Sequence, residues 1–198
     1  MGTPSERREF GLKRGKVFPV ERAGSLVNPL RRLVQSPSRT VAAMGLVENA
    51  IVLEVGSGPG FFSPFIAKAA PLGHVMLVDV QFEMLAAARQ RLARVANVWY
   101  AQADACALPV GMGQFDAVFL ATMLGEVPDK DLCIEEVRRI LGPGGLVTIV
   151  ETRRDSDFIS LTSLCDLLDR HGFSLVDRRG VAWQYVARFQ ARGPAVAP

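Results

Sequence analysis

Ile51-Val52-Leu53-Glu54-Val55-Gly56-Ser57-Gly58-Pro59-Gly60 puts an apolar run, one carboxylate and three alternate glycines into ten residues. The apolar run lacks the in-out alternation of a half-exposed strand, so it predicts a strand buried on both faces, as in a parallel sheet covered by helices. Glycines follow at once. Without a Cβ they let the backbone turn sharply and approach a ligand closely. A helix beginning just beyond them points its free amides back at the same place. Open α/β sheets bind ligands in such crevices, outside the carboxyl ends of parallel strands.

The spacing narrows the ligand. A dinucleotide loop, G-x-G-x-x-G, needs glycine at position 61, where this chain has Phe61. A bulky side chain there crowds the close helix–strand packing which that third glycine permits. No G-K-[ST] follows, which excludes a Walker-type phosphate loop. The loop fits a ligand with a ribose and an amino-acid tail better than one with a pyrophosphate.

The run EVGSGPG resembles the glycine-rich first motif of class I S-adenosylmethionine-dependent methyltransferases, particularly the ubiquinone and menaquinone C-methyltransferases. Three later features agree in order, so the resemblance covers roughly residues 45–190. His74-Val75-Met76-Leu77-Val78-Asp79 is a second apolar strand ending in an acid, 21 residues beyond Gly58. Val98-Trp99-Tyr100-Ala101-Gln102 is a third, followed by Ala103-Asp104-Ala105. Phe115-Asp116-Ala117-Val118-Phe119-Leu120 then leads to Leu141-Gly142-Pro143-Gly144-Gly145 and a fifth strand, Leu146–Val150.

The resemblance implies a three-layer Rossmann-like α/β sandwich. Its mostly parallel seven-stranded sheet has the order 3-2-1-4-5-7-6, with strand 7 antiparallel. It also implies S-adenosylmethionine as cofactor, with S-adenosylhomocysteine as product and no metal. Glu54, Gly56, Ser57, Gly58, Gly60, Asp79, Val80, Asp104 and Ala105 are the implied cofactor positions. Asp79 would accept hydrogen bonds from the ribose diol, and Asp104 would lie near the adenine amino group. The blander roles are that Asp79 ends a strand or caps a helix, and that Asp104 stabilises a turn. Glu54 would help hold the amino-acid end of the cofactor, or simply accept amides of the glycine loop.

Helices are expected at 62–70, 81–95, 129–141 and 161–171. Gly142 would end the third of these and Pro143 would stop its continuation. Residues 173–179 and 182–190 read as a closing hairpin joined through Arg179-Gly180-Val181.

At 198 residues, 49% hydrophobic, the chain suits one globular domain and excludes wholesale disorder. No run approaches the ~18 apolar residues of a membrane span, and the N-terminus lacks the apolar stretch of a secretory signal. Cys106, Cys133 and Cys165 have neither disulfide-framework nor zinc spacing, so a reduced, cytoplasmic setting is expected. All three follow the glycine motif, which argues against arsenic methylation, whose first thiols precede it.

Nine basic and three acidic residues give segment 1–40 a charge of +6 against +3 for the whole chain, leaving residues 41–198 at −3. The leader, residues 1–40, is therefore set apart from a methyltransferase domain at 41–198. The resemblance makes it a lid over the cofactor pocket, with Arg31 and Arg32 facing an anionic substrate. Basic leaders also dock on nucleic acid, or are plain solvated tails.

Methyl transfer from a sulfonium needs alignment more than a catalytic group, because the electrophile arrives activated in the cofactor. Glu126, just past the fourth strand, is the candidate base, against a plain loop role. The resembling quinone methyltransferases carry His before that Glu, where this chain has Gly125. His74 and His171 fall at a strand start and a helix end and read as structural. A small-molecule acceptor is the main expectation. The alternatives are an RNA or protein methyltransferase docking through the leader, and a non-catalytic cofactor-binding protein. The N-P-P-Y and D-P-P-Y acceptor motifs of some nucleic-acid enzymes are absent after the fourth strand.

Overall fold

Strand β1 (Ile51–Val55) lies inside the sheet with four of its five residues buried, the pattern its sequence foreshadows. The computed structural model describes residues 19, 23–27, 36–153 and 157–193. A helical turn α1 (Ala23–Leu26) and helix α2 (Pro37–Ala42) precede β1, and α2 crosses the boundary drawn at residue 40. There follow α3 (Ser63–Ala69), β2 (His74–Asp79), α4 (Phe82–Arg91), β3 (Val98–Gln102) and β4 (Phe115–Ala121). A 3-10 turn (Leu124–Glu126), α5 (Lys130–Ile140), β5 (Leu141–Thr152), α6 (Leu161–Arg170), β6 (Phe173–Val181) and β7 (Gln184–Ala191) complete the chain.

The sheet order is β3-β2-β1-β4-β5-β7-β6, with β1 to β5 parallel and β7 antiparallel to both neighbours, as expected. Each face carries its own apolar layer. Leu53, Val55, Val118 and Leu120 pack with Ile134 and Val137 of α5 and Leu164 of α6. Val52, Val75, Leu77 and Phe119 pack with Ile66 of α3 and Leu85 of α4. Local chemistry fixes the helix ends: the Asp129 carboxylate accepts from the Leu132 N–H at the start of α5, and Ser160 does the same for Ser163 in α6.

Two local expectations are corrected. Leu141 is already extended and pairs with Phe115, so α5 ends at Ile140, and the left-handed glycine lies in the irregular start of β5 at Gly144 (φ 72°), not at Gly142. The closing hairpin turns at Ala182-Trp183, because Gly180 and Val181 still pair with Tyr185 and Gln184. Gly180 is needed for another reason. Its φ is 101°, and a Cβ there would collide with the Gln184 carbonyl oxygen.

Candidate active site

Parallel packing brings the carboxyl ends of β1 to β4 to one edge of the sheet, and the glycine loop bends across it. Gly56, Gly58 and Gly60 all have positive φ (65°, 52° and 76°), a region closed to most side chains. At Gly58 an added Cβ would meet, among the described residues, Leu26 Cδ1 of α1 at 3.7 Å. At Gly56 it would fall 2.8 Å from Met123 Cγ, so Met123, just past β4, lies directly against the loop.

Asp79 ties the loop to β2. The Gly58 N–H donates to Asp79 Oδ2 (2.8 Å) and the Gln81 N–H to Oδ1 (2.9 Å). The Val78 carbonyl accepts from the amides of Gly56 (2.8 Å) and Ser57 (3.1 Å). Asp79 ends β2 and holds the turn into α4, whose own N-cap is Gln81. A carboxylate has about four lone-pair sites, so the amides of Gly58, Gln81 and Val80 leave room for a hydroxyl donor. Val80 lies beside it, and its carbonyl accepts from Gln102 Nε2. The Ala103 amide bonds the Asp79 carbonyl, which carries the chain on to Asp104 and Ala105 at the same edge. Asp104 Oδ1 accepts the Cys106 N–H (2.9 Å), so this acid stabilises a turn, as its blander role anticipated.

Glu54 is buried behind the loop and accepts from the Ser63 hydroxyl at 2.6 Å, not from loop amides. Burial is the main reason its pKa is pushed up to about 8, with the nearby Asp79 charge adding to the rise. Burial also raises Asp79, against the lowering effect of the Gln81, Gly58 and Val80 amides. Burial favours the protonated form of both acids, and the backbone amides oppose it at Asp79.

Just past β4, Thr122 holds φ 51°, rare for a β-branched residue and costing about 1–3 kcal/mol. Its N–H is fixed to the Val150 carbonyl (2.8 Å). Glu126 ends the 3-10 turn that follows and is half-buried. Gly125 has no room for a side chain: an added Cβ would strike the Asp157 carbonyl oxygen and come within 2.8 Å of its carbon. A histidine at that position would displace the β5–α6 connection. Gly125→Ala is expected to cost about 1–3 kcal/mol by overpacking, read as a lower melting temperature. An unchanged value would mean that the two connections are not in contact.

Ser63, Met123, Leu26 and the Asp157 carbonyl were not identified from sequence. Each acts across the fold, where no local sequence pattern marks the partner. Arg31 and Arg32 lie outside the described residues. His74 stacks on Trp99 at the opposite end of the strands, and His171 bonds Asp131 on the surface, in line with structural roles for both. Burial pushes the Cys106 thiol up to about 11 and Cys133 higher still, a poor setting for thiolate ligands. Among the described residues no group of three or more His, Cys, Asp or Glu is placed to hold a metal, and no helix is long and apolar enough to cross a membrane.

Residues 52–145 match a family model described as a methyltransferase domain. The ubiquinone/menaquinone biosynthesis C-methyltransferase UbiE of Edwardsiella ictaluri is 31% identical over 157 residues, covering 75% of this chain and 62% of that protein. The Pasteurella multocida UbiE is 35% identical over 116 residues, covering 57% and 43%. The chain belongs to the class I S-adenosylmethionine-dependent methyltransferases. It spans about half the length of the curated methyltransferases it matches. A SAM-dependent methyltransferase from Aquifex aeolicus shares the fold, with a TM-score of 0.82 at 22% identity over 88% of this chain and 99% of that one. The methyltransferase family accounts for the element order and the glycine loop together, which neither a dinucleotide nor a Walker fold does.

Proposed function

We propose that this protein transfers a methyl group from S-adenosylmethionine to a small-molecule acceptor. The observation that carries the reading is the glycine loop, three left-handed glycines bound through Gly58 to the Asp79 carboxylate at the mouth of the parallel sheet. The cradle suits an adenosyl group. Asp79 retains acceptor capacity for a ribose hydroxyl, the Asp104–Ala105 turn lies beside it for the adenine, and Glu54 stands behind the loop for the amino-acid end. When bound, S-adenosylmethionine supplies an activated methyl group on a sulfonium. The chain's own residues bind, align and exclude water, an arrangement able to supply about 7–11 kcal/mol of barrier reduction.

Support for the leader as a lid comes from Leu26 beside Gly58 and Val27 packed on the apolar layer of α3 and α4. Glu126 is the proposed base for acceptors that lose a proton. Glu126→Gln is expected to lower kcat tenfold or more, within the usual worth of a general base, while leaving the dissociation constant for S-adenosylhomocysteine unchanged. Equal loss of both would assign it to the cofactor or to the fold.

The UbiE relatives favour a carbon acceptor on a small electron-rich ring. The test is release of S-adenosylhomocysteine with a panel of small hydroquinones and phenols, set beside bulk tRNA. Turnover with a small acceptor is the expected result. Transfer to tRNA alone, with binding that falls steeply with salt, would overturn it in favour of a nucleic-acid enzyme.

A further inference from the structure

Strand β3 is the outermost strand on its side of the sheet. The Asn97 carbonyl accepts from Val75 N–H, and the Ala103 N–H donates to the Asp79 carbonyl. Backbone groups alternate along a strand, so Val98, Tyr100 and Gln102 turn theirs away from β2, toward the side where, among the described residues, the sheet has no further strand. Native edges are commonly blunted by lysine, proline or a bulge. Val98-Trp99-Tyr100-Ala101-Gln102 has none of these; it is only short.

The two flanks of β3 differ in chemistry. On one, Trp99 is 54% exposed and stacks on His74 with ring centroids 4.3 Å apart and planes 17° from parallel. Among the described residues no helix lies between β3 and β4, and residues 108–110 are bonded to α5. Glu136 accepts the Leu108 N–H, and Arg139 donates to the carbonyls of Leu108 and Val110. On the other flank, α4 ends in Arg89 and Arg91, with Arg94 just beyond, all exposed. The Arg89 charge reaches Tyr100 of β3. From residue 80 to 103 the sole acid is Glu83.

We propose that β3 is a docking edge for an extended acidic segment of a partner protein. The segment adds as an outer strand, with an apolar side chain against Trp99 and carboxylates facing Arg89 and Arg94. Strand addition of this kind draws affinity from main-chain hydrogen bonds and selectivity from alternate side chains. A second copy of this chain is the poorer occupant. Two β3 strands paired about a two-fold axis would place the two arginine sets on the same face, charge against like charge.

The test uses the full chain with Trp183→Phe, which leaves Trp99 as the single tryptophan. The probes are an octapeptide alternating Val with Glu and its counterpart alternating Val with Lys. The Val–Glu peptide is expected to shift Trp99 emission to shorter wavelength and to slow amide exchange at Val98, Tyr100 and Gln102. Arg89→Glu combined with Arg94→Glu should weaken its binding about tenfold, roughly two exposed ion pairs lost, without altering the circular dichroism. Equal response to both peptides, absence of protection in β3, or concentration-dependent self-association through β3 would overturn the proposal.

Discussion

Asp79→Ala is expected to weaken cofactor binding about a hundredfold or more and to lower the melting temperature of the free protein at the same time. Both effects have one source. The carboxylate accepts the Gly58 and Gln81 amides and is 8% exposed, so its removal leaves donors on the glycine loop and at the start of α4 without acceptors. Hydrogen bonds to a charged group contribute about 1.5–3 kcal/mol each, which puts the combined cost in the range of a few kcal/mol, shared between folding and binding. Asp79→Asn retains one acceptor oxygen and should fall between the two in both measurements. Calorimetry with S-adenosylhomocysteine and a thermal melt on each variant check this. A dissociation constant and a melt both unchanged in Asp79→Ala would remove the acid from the loop and from the ribose site together.

A second large effect comes from Glu54. Its folded-state pKa, about 8, lies above the ordinary carboxylate value of 4.5. The native state therefore holds a proton that the unfolded chain gives up, and the sign follows. The contribution is fully present below about pH 4.5, declines as pH rises through the window, and is lost above about pH 8. Asp79, also raised, acts in the same direction. The slope is at most roughly 1.4 kcal/mol for each pH unit. Glu54→Gln stays neutral and keeps an acceptor for Ser63, so it should flatten the decline between pH 6 and 9. At pH 9 it should melt above the parent protein, by about 2–4 °C for each kcal/mol recovered. A parent protein whose stability is flat or rising from pH 6 to 9, with no difference in the variant, would show Glu54 to be ionised in the fold.

The parts of the molecule legible in the sequence are those governed by local pattern. Buried parallel strands announce themselves as unbroken apolar runs, and the acid after β2 and the glycines after β1 mark where those runs end. Strand order came with the family resemblance, since no local pattern encodes which strands neighbour one another. Errors arose where one residue type serves two purposes. Gly180 reads as a turn glycine, yet it stands inside β6 because the Gln184 carbonyl passes too close for a Cβ. Gly142 reads as a helix stop, although α5 has already ended at Ile140 and the positive φ belongs to Gly144. The contacts that shape the site were not legible. Ser63 to Glu54, Met123 over Gly56, and the Asp157 carbonyl against Gly125 each join separate elements, and nothing in their spacing marks the partner. The strained Thr122 is of the same kind: it has φ 51° and its N–H bonds the Val150 carbonyl on the neighbouring strand, a pairing no local pattern marks.

The measurement closest to the central claim is calorimetric titration of the purified chain with S-adenosylmethionine and S-adenosylhomocysteine, with NAD as control. Single-site micromolar binding of the adenosyl ligands, no heat with NAD, and loss of that binding in Asp79→Ala is the predicted result. Binding of NAD, or silence with both adenosyl ligands in a protein that melts cooperatively, would contradict it.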